Sequence, residues 1–389
     1  MKKLALVTII GLILSGCGGG GSSDSGSTPK PDIKPETKPA LVEGTIDKVN
    51  GSNIIVNGRS YQVASVNYAN TPLADGVSVL KPQMMVQVSD VARAGATVFL
   101  DPTLLGKVTA VNHTTNTFTV NGVELSFAQL NKEIEINDWV MVSALPMATE
   151  TGVGYKVLSV IEVENTDLAG KYELEGTLSQ LDSAASTFKL GQVVVDYANI
   201  QLEPTIGNGD WVEATGQMSN GVFVATEVEV DNYDDNEDFD DAEIEGVVTW
   251  INNEKTLFTL NARGQFVIDN STRFEDGSRN NLKTGELVEV TAINGVAKEI
   301  EFDRDHDGDH EQGTWHEFDA EGIVSYVTDS TIILDTFNGA SQTIYVDNMT
   351  RYEDRLTLAT LTDKRVEIEG IVRNGQKIAR EIELEELDD

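Results

Sequence analysis

Residues 175–230 decide the fold of this chain. The stretch opens with Glu175-Gly176-Thr177-Leu178 and alternates through Phe188-Lys189-Leu190 and Val193-Val194-Val195. It turns at Gly209-Asp210, continues as Trp211-Val212-Glu213-Ala214-Thr215-Gly216, and closes with Phe223-Val224-Ala225-Thr226-Glu227-Val228-Glu229-Val230. Apolar residues return at every second position, with Glu or Thr between them. That period, and the Val, Phe, Thr and Trp that carry it, predict half-buried strands.

The same plan recurs five times. The opening motif reads Glu43-Gly44-Thr45-Ile46, Leu105-Gly106-Lys107-Val108, Glu175-Gly176-Thr177-Leu178, Glu245-Gly246-Val247-Val248 and Glu321-Gly322-Ile323-Val324, with glycines 62, 70, 70 and 76 positions apart. An aliphatic residue follows each glycine at the fifth place: Val49, Val111, Leu181, Ile251 and Val327. The closing strand alternates acids on one face in Ile161-Glu162-Val163-Glu164, Val228-Glu229-Val230, Ile300-Glu301-Phe302 and Ile382-Glu383-Leu384. In the first repeat that strand, near Thr97-Val98-Phe99-Leu100, lacks them. Repeats four and five share Thr272-Arg273-Phe274-Glu275-Asp276 and Thr350-Arg351-Tyr352-Glu353-Asp354 before their fourth strand.

Five short strands per unit are too few for a two-sheet sandwich. They predict an all-β chain, a tandem array of about five small five-stranded OB-like barrels, since closure removes exposed edges. The Glu-Gly opening, the Phe-x-Leu/Val strand, the Gly-Asp-x-Val turn and the closing Val/Ile-Glu strand resemble a family of tandem β-repeats of bacterial lipoproteins, catalogued as a domain of unknown function. The resemblance covers Val42 to Leu384 and is clearest in repeats three to five. Repeats one and two depart from it: Leu105 precedes Gly106, and Lys81-Pro82-Gln83 replaces the Gly-Asp turn. The resemblance implies a fold and a location, and no activity.

Ahead of the repeats, Lys2 and Lys3 precede the apolar run Leu4 to Leu14, too short to span a membrane. The run ends in Leu14-Ser15-Gly16-Cys17, which resembles the lipobox of bacterial lipoproteins. The resemblance implies cleavage before Cys17, its acylation, and, with Gly18 next in place of aspartate, an outer-membrane location. Removal of residues 1–16 takes away two lysines and no acid, so the formal charge moves from −36 to −38. The Gly/Ser then Pro/Lys composition up to Ala40 predicts a tether. The expected organisation is a signal peptide at 1–16, lipidated cysteine and tether at 17–41, and repeats at 42–103, 104–166, 172–230, 242–302 and 317–389. An acidic linker at 231–241 and an Asp/His-rich loop at 303–316 separate the last three.

That loop carries the sharpest local signal. Asp303, Asp305 and Asp307 stand at positions one, three and five with Gly308 at six, the order a calcium loop uses. Asp309 and Glu311 extend the ligand set, while Thr314 stands where a bidentate glutamate belongs. His306 and His310 offer a transition-metal alternative. A solvated, self-repelling loop is the plain alternative to both, and the linker 231–241 reads the same way. Among the tryptophans, Trp139 and Trp211 start equivalent strands and are expected in the core. Trp250 is expected to turn outward, and with Trp315 it is the candidate for binding. No phosphate loop, nucleophile elbow or zinc-protease motif is present.

The expected function is therefore a lipid-anchored cell-envelope protein, a non-catalytic binding or structural array, with Ca²⁺ as its one candidate cofactor. A calcium-dependent structural or adhesive protein and a carbohydrate-binding or carbohydrate-active protein are the alternatives. The expected partners are the membrane, through the lipid, and an envelope protein or polysaccharide. The acidic charge argues against nucleic acid.

Overall fold

The computed structural model describes residues 41–385 apart from 70, 92–94, 150–151, 164–167, 169, 234–240, 303–316, 348 and 374. The chain is all-β, and the alternating repeats form five small barrels. Barrel 1 uses Leu41–Asn50, Asn53–Val56, Arg59–Tyr68, Met85–Val91 and Gly95–Leu100. Barrel 2 uses Leu104–Asn112, Thr117–Val120, Val123–Ser126, Trp139–Thr149 and Gly152–Glu162. Barrel 3 uses Tyr172–Asp182, Thr187–Leu190, Val193–Asp196, Trp211–Ser219 and Val222–Val230. Barrel 4 uses Asp241–Ile251, Leu257–Leu260, Gly264–Val267, Leu287–Ile293 and Val296–Phe302. Barrel 5 uses Glu317–Val327, Thr331–Thr336, Ser341–Tyr345, Arg365–Arg373 and Gln376–Leu384. Among the described residues no helix is long and apolar enough to cross a membrane.

In every barrel the first strand pairs antiparallel with the second and the fourth. The fourth strand forms a hairpin with the fifth. In barrels 1, 3, 4 and 5 the third strand closes the ring by lying parallel to the fifth. This is the OB-like order, 1-2-3-5-4 returning to 1. Among the described residues barrel 2 has no such closing pair.

Each first strand carries a bulge shortly after its opening glycine, between Ile46/Lys48, Val108/Ala110, Ser179/Asp182, Val248/Trp250 and Val324/Tyr326. A bulge bends the strand and re-aims its side chains. The bulge lets a long first strand pair with the second at one end and the fourth at the other.

The opening glycine has a specific cause. In barrels 1, 2 and 4 an asparagine in a left-handed conformation ends the second strand: Asn57, Asn121 and Asn261. A Cβ on Gly44, Gly106 or Gly246 would lie 2.0 to 2.4 Å from that asparagine's amide. The amide instead donates to the carbonyl just before the glycine, Asn57 to Glu43 at 3.3 Å, Asn121 to Leu105 at 3.0 Å and Asn261 to Glu245 at 3.2 Å. Barrel 3 has Gly191 in place of the asparagine. Tyr155 of barrel 2 fills the slot, its hydroxyl donating to Glu175 O at 2.5 Å.

Barrels 1 and 4 share a sheet, through parallel pairing of Leu41–Glu43 with Ala242–Ile244. Barrels 2 and 3 are joined by antiparallel pairing of Leu104 and Leu105 with Leu174 and Glu173. Barrel 5 packs on barrel 4 through Trp250, Leu257, Ile371 and Ile378. Gly209 of barrel 3 reaches it too: its φ is +108°, and a Cβ there would sit 2.1 Å from Asp347 Oδ2. Both facts require glycine at that turn.

Candidate functional site

The outer face of strands one, four and five carries a repeated row of acids. The register sets Glu175 opposite Glu213 and Glu213 opposite Glu229 in barrel 3. Barrel 4 aligns Glu245, Glu289 and Glu301 in the same way, and barrel 5 aligns Glu321, Glu367 and Glu383. Barrel 1 has Glu43, Gln87 and Phe99 in these places. Barrel 2 has Leu105, Met141 and Ile161. Like charges directly opposite one another on a sheet destabilise it, so an acid row needs an answer from outside its own barrel.

Neighbouring barrels supply donors to Glu245 of these rows and to other acids on the same outer faces. Arg59 of barrel 1 binds Glu243 of barrel 4 at 2.7 Å, and Arg263 of barrel 4 binds Glu43 of barrel 1 at 2.8 Å. The exchange is reciprocal, because both arginines end the turn between strands two and three. Arg263 also meets Asp231 at 2.6 Å and lies over the ring of Tyr233, whose hydroxyl donates to Glu43 at 2.8 Å. Glu245 accepts from Thr45 N at 2.7 Å and from its Oγ1 at 2.8 Å. Tyr68 of barrel 1 donates its hydroxyl to Glu173 of barrel 3. On barrel 5, Glu381 accepts from Asn252 Nδ2 at 2.9 Å and Glu369 from Asn253 N at 3.1 Å.

Burial raises the proton affinity of several acids on these faces. Burial pushes Glu43 up to about 8, against the opposing pull of Arg263. Burial, then Asp101 and Asp231, raises Glu213 to about 7. Burial carries Glu173 and Glu175 well above the usual carboxylate range, with Glu213 the next cause for the first and Asp101 for the second. Glu369 rises to about 8 by burial, opposed by the Asn253 N–H. Desolvation costs the charged form more than the neutral one.

The motif shared by repeats four and five serves the same rows. Arg273-Phe274-Glu275 forms a short strand parallel to Glu299-Ile300-Glu301, and Arg273 bonds Glu275 and, at 3.1 Å, Glu299. Arg351 sits in register with Glu381. The threonines anchor these segments, Thr272 Oγ1 to Ala297 O at 2.8 Å and Thr350 Oγ1 to Ala379 O at 2.9 Å. Among the described residues one acid group has metal-ligand spacing: Glu275, Glu299 and Glu301 bring oxygens within 4.8 Å of one another.

The sequence-predicted sites fall differently. Asp303, Asp305, His306, Asp307, Asp309, His310, Glu311 and Trp315 lie outside the described residues, as do Cys17 and the tether to residue 40. Trp250 turns out of its own barrel, whose core holds Val248 and Ile251, but not into water: it is 1% exposed, packed with Leu257 against Ile371 and Ile378 of barrel 5. Trp211 is buried but not inside its barrel: Val212 and Ala214 face the core, and Trp211 stands on the acid face with Nε1 3.4 Å from Glu175. Trp139 is half-buried, its ring 4.8 Å from that of Tyr172. Arg59 and Arg263 were not singled out by sequence. Their signal was there in Asn57-Gly58-Arg59 and Asn261-Ala262-Arg263, two scarce cations at one repeat position.

Residues 175–229, 245–301 and 321–383 each match the family described as Domain of unknown function (DUF5666). They are barrels 3, 4 and 5. The three DUF5666 segments are also the three that carry a complete acid row, and barrels 1 and 2, which lack it, fall outside the match. No curated protein matches the chain. A similar solved structure is a multidomain protein with nucleic acid binding domains from Streptococcus pneumoniae, at 10% identity, covering 56% of this chain and 74% of that one with a TM-score of 0.14. Its description stands against the expected partner set, an envelope protein or polysaccharide and the membrane without nucleic acid. At that TM-score the likeness assigns no ligand to this chain.

Proposed function

We propose that the chain is a non-catalytic, lipid-anchored structural array whose barrels are held in fixed relation by the carboxylates of their own outer faces. The use of those carboxylates supports the reading most. Glu43, Glu243, Glu245, Glu369 and Glu381 each meet a donor from another barrel. A general acid or base must reach a substrate proton, and Glu43 and Glu243 are 0% exposed. Anchoring at the outer membrane rests on Leu14-Ser15-Gly16-Cys17 after a short apolar run. The test is small-angle scattering of Arg59→Met at pH 8. The array is expected to expand while its circular dichroism holds. An unchanged envelope, or turnover tied to defined side chains, defeats the reading. Cys17→Ser should move the protein out of the membrane fraction.

A calcium-dependent array is the second reading. Glu299 and Glu301 stand on the strand that leads into residues 303–316, with Glu275 on the short strand beside it, and Asp303, Asp305, Asp307, Asp309 and Glu311 follow in the sequence with ligand spacing. Millimolar Ca²⁺ should then raise the melting temperature, and Asp305→Ala with Asp307→Ala should abolish the shift.

A further inference from the structure

Barrel 2 alone leaves its ring open, and a residue borrowed by barrel 3 explains why. In barrel 3 the closing pair sets Val195 of strand three beside Phe223 of strand five. Their counterparts in barrel 2, counted from the paired strands, are Leu125 and Tyr155. Phe223 is fully buried in the core cluster that barrels 2 and 3 share. Tyr155 is only partly buried against that cluster and gives its hydroxyl to Glu175 O of barrel 3, in the slot that an asparagine fills in barrels 1, 2 and 4. Pro146 stands opposite Tyr155 and brings no N–H to the hairpin. Strand five is thus drawn toward barrel 3, and no strand pairing joins it to strand three.

The consequence is a strand-edge groove. Among the described residues Val123–Ser126 pairs only with the second strand, and Gly152–Glu162 only with the fourth. Phe127 N donates to Asn116 O at 3.0 Å, on the second-strand side. By alternation Leu125 turns its main chain the same way, and Glu124 and Ser126 turn theirs to the open seam. A groove of about 960 Å³ lies there, lined among others by Leu125, Phe127, Val157 and Gln192. That volume is in the range of binding clefts, roughly 300–1,000 Å³.

We propose that this seam binds an extended peptide by strand addition, the peptide alternating apolar and basic side chains. The four closed barrels show what completes this edge: a strand. Main-chain groups of Glu124 and Ser126 supply hydrogen bonds, and an added strand directs alternate side chains to opposite faces. Inward side chains meet Leu125 and Val157. Outward ones meet exposed Glu124 and the field of a chain with formal charge −36. Lys156 on the facing wall is already engaged. This goes beyond the structural role proposed above, which makes no use of the seam.

The probe is a capped hexapeptide of alternating lysine and valine, titrated into the full chain by calorimetry, with amide exchange followed at Ser126. Binding with slowed exchange at Ser126 is expected. Ser126→Pro removes the seam-facing donor, keeps the Phe127 bond, and should weaken binding roughly tenfold, the worth of one hydrogen bond. Tyr155→Phe with Gly191→Asn returns strand five to its own barrel and gives barrel 3 its own amide, and should weaken binding at least as much. The exchange measurement on the unaltered chain stands even if a variant misfolds. Unchanged exchange at Ser126 under saturating peptide, equal affinity of the folded variants, or equal binding of a glutamate–valine peptide overturns the proposal.

Discussion

Barrels 2 and 3 share a strand plan and lie side by side, yet they use one outer face in opposite ways. Barrel 2 sets Leu105, Met141 and Ile161 across strands one, four and five, and these pack into the core cluster of barrel 1. Barrel 3 sets Glu175, Glu213 and Glu229 in the same places. An apolar row docks at any pH, because its driving force is area removed from water. A buried acid row docks only if protons, a cation or donors from the neighbour answer it. The array therefore combines apolar, unconditional joints, this one and that of Trp250 and Leu257 with Ile371 and Ile378, with conditional ones.

The comparison breaks most sharply if the rows are exchanged. Leu105→Glu puts a carboxylate where Leu105 is 0% exposed, packed into the apolar core cluster of barrel 1. The expected loss is about 5 kcal/mol at pH 8, at the upper end for single substitutions, read from the urea midpoint. A loss below about 1 kcal/mol would mean that the two rows are interchangeable.

Arg263→Met comes next. It leaves Glu43 and Asp231 without their shared cation, and breaking a buried pair costs about 3 kcal/mol. The penalty should shrink toward pH 5, where Glu43 takes up a proton. An equal penalty at pH 5 and pH 8 would assign the effect to lost packing against Tyr233 instead of to charge.

The unaltered chain carries the same dependence. Glu43, Glu213 and Glu369 bind protons more tightly when folded, near 8, 7 and 8, than in the unfolded chain. Between about pH 5 and 8 the folded state thus holds more protons, and stability falls as pH rises through that window. The thermal midpoint should be highest near pH 5 and decline by pH 8, a total effect on the order of a few kcal/mol. A midpoint that climbs over this range contradicts the burial of the rows.

Much of this was legible in the sequence, for a local reason. Period-two alternation shows wherever one face of a strand is buried, so the five units and their strands could be read. The opening Glu-Gly could be counted but not explained, because its cause is the amide of Asn57, 14 residues after Glu43, or the hydroxyl of Tyr155 in another barrel. Trp250 turns outward as alternation predicts, but it is not free to bind, because the array buries outer faces that a single barrel would leave in water. The acid rows were visible as Val-Glu-Val strands, but which acids stood opposite one another depended on a strand order that alternation does not carry.

The smallest effect is expected where an acid row runs out into solvent. Arg273 bonds Glu275 and Glu299 on barrel 4, yet its side chain is 57% exposed. Water screens the pair, and two long side chains lose freedom to hold it, so exposed pairs are worth roughly 0–1 kcal/mol. Arg273→Gln should accordingly move the urea midpoint by no more than about 0.5 kcal/mol, and half a molar of salt should remove what difference there is. Arg263 and Arg273 then form a controlled contrast, one cation buried between barrels and one at a rim, both facing glutamates. If Arg273→Gln costs as much as Arg263→Met, burial is not what gives the joints their strength, and the difference between barrels 2 and 3 loses its physical basis.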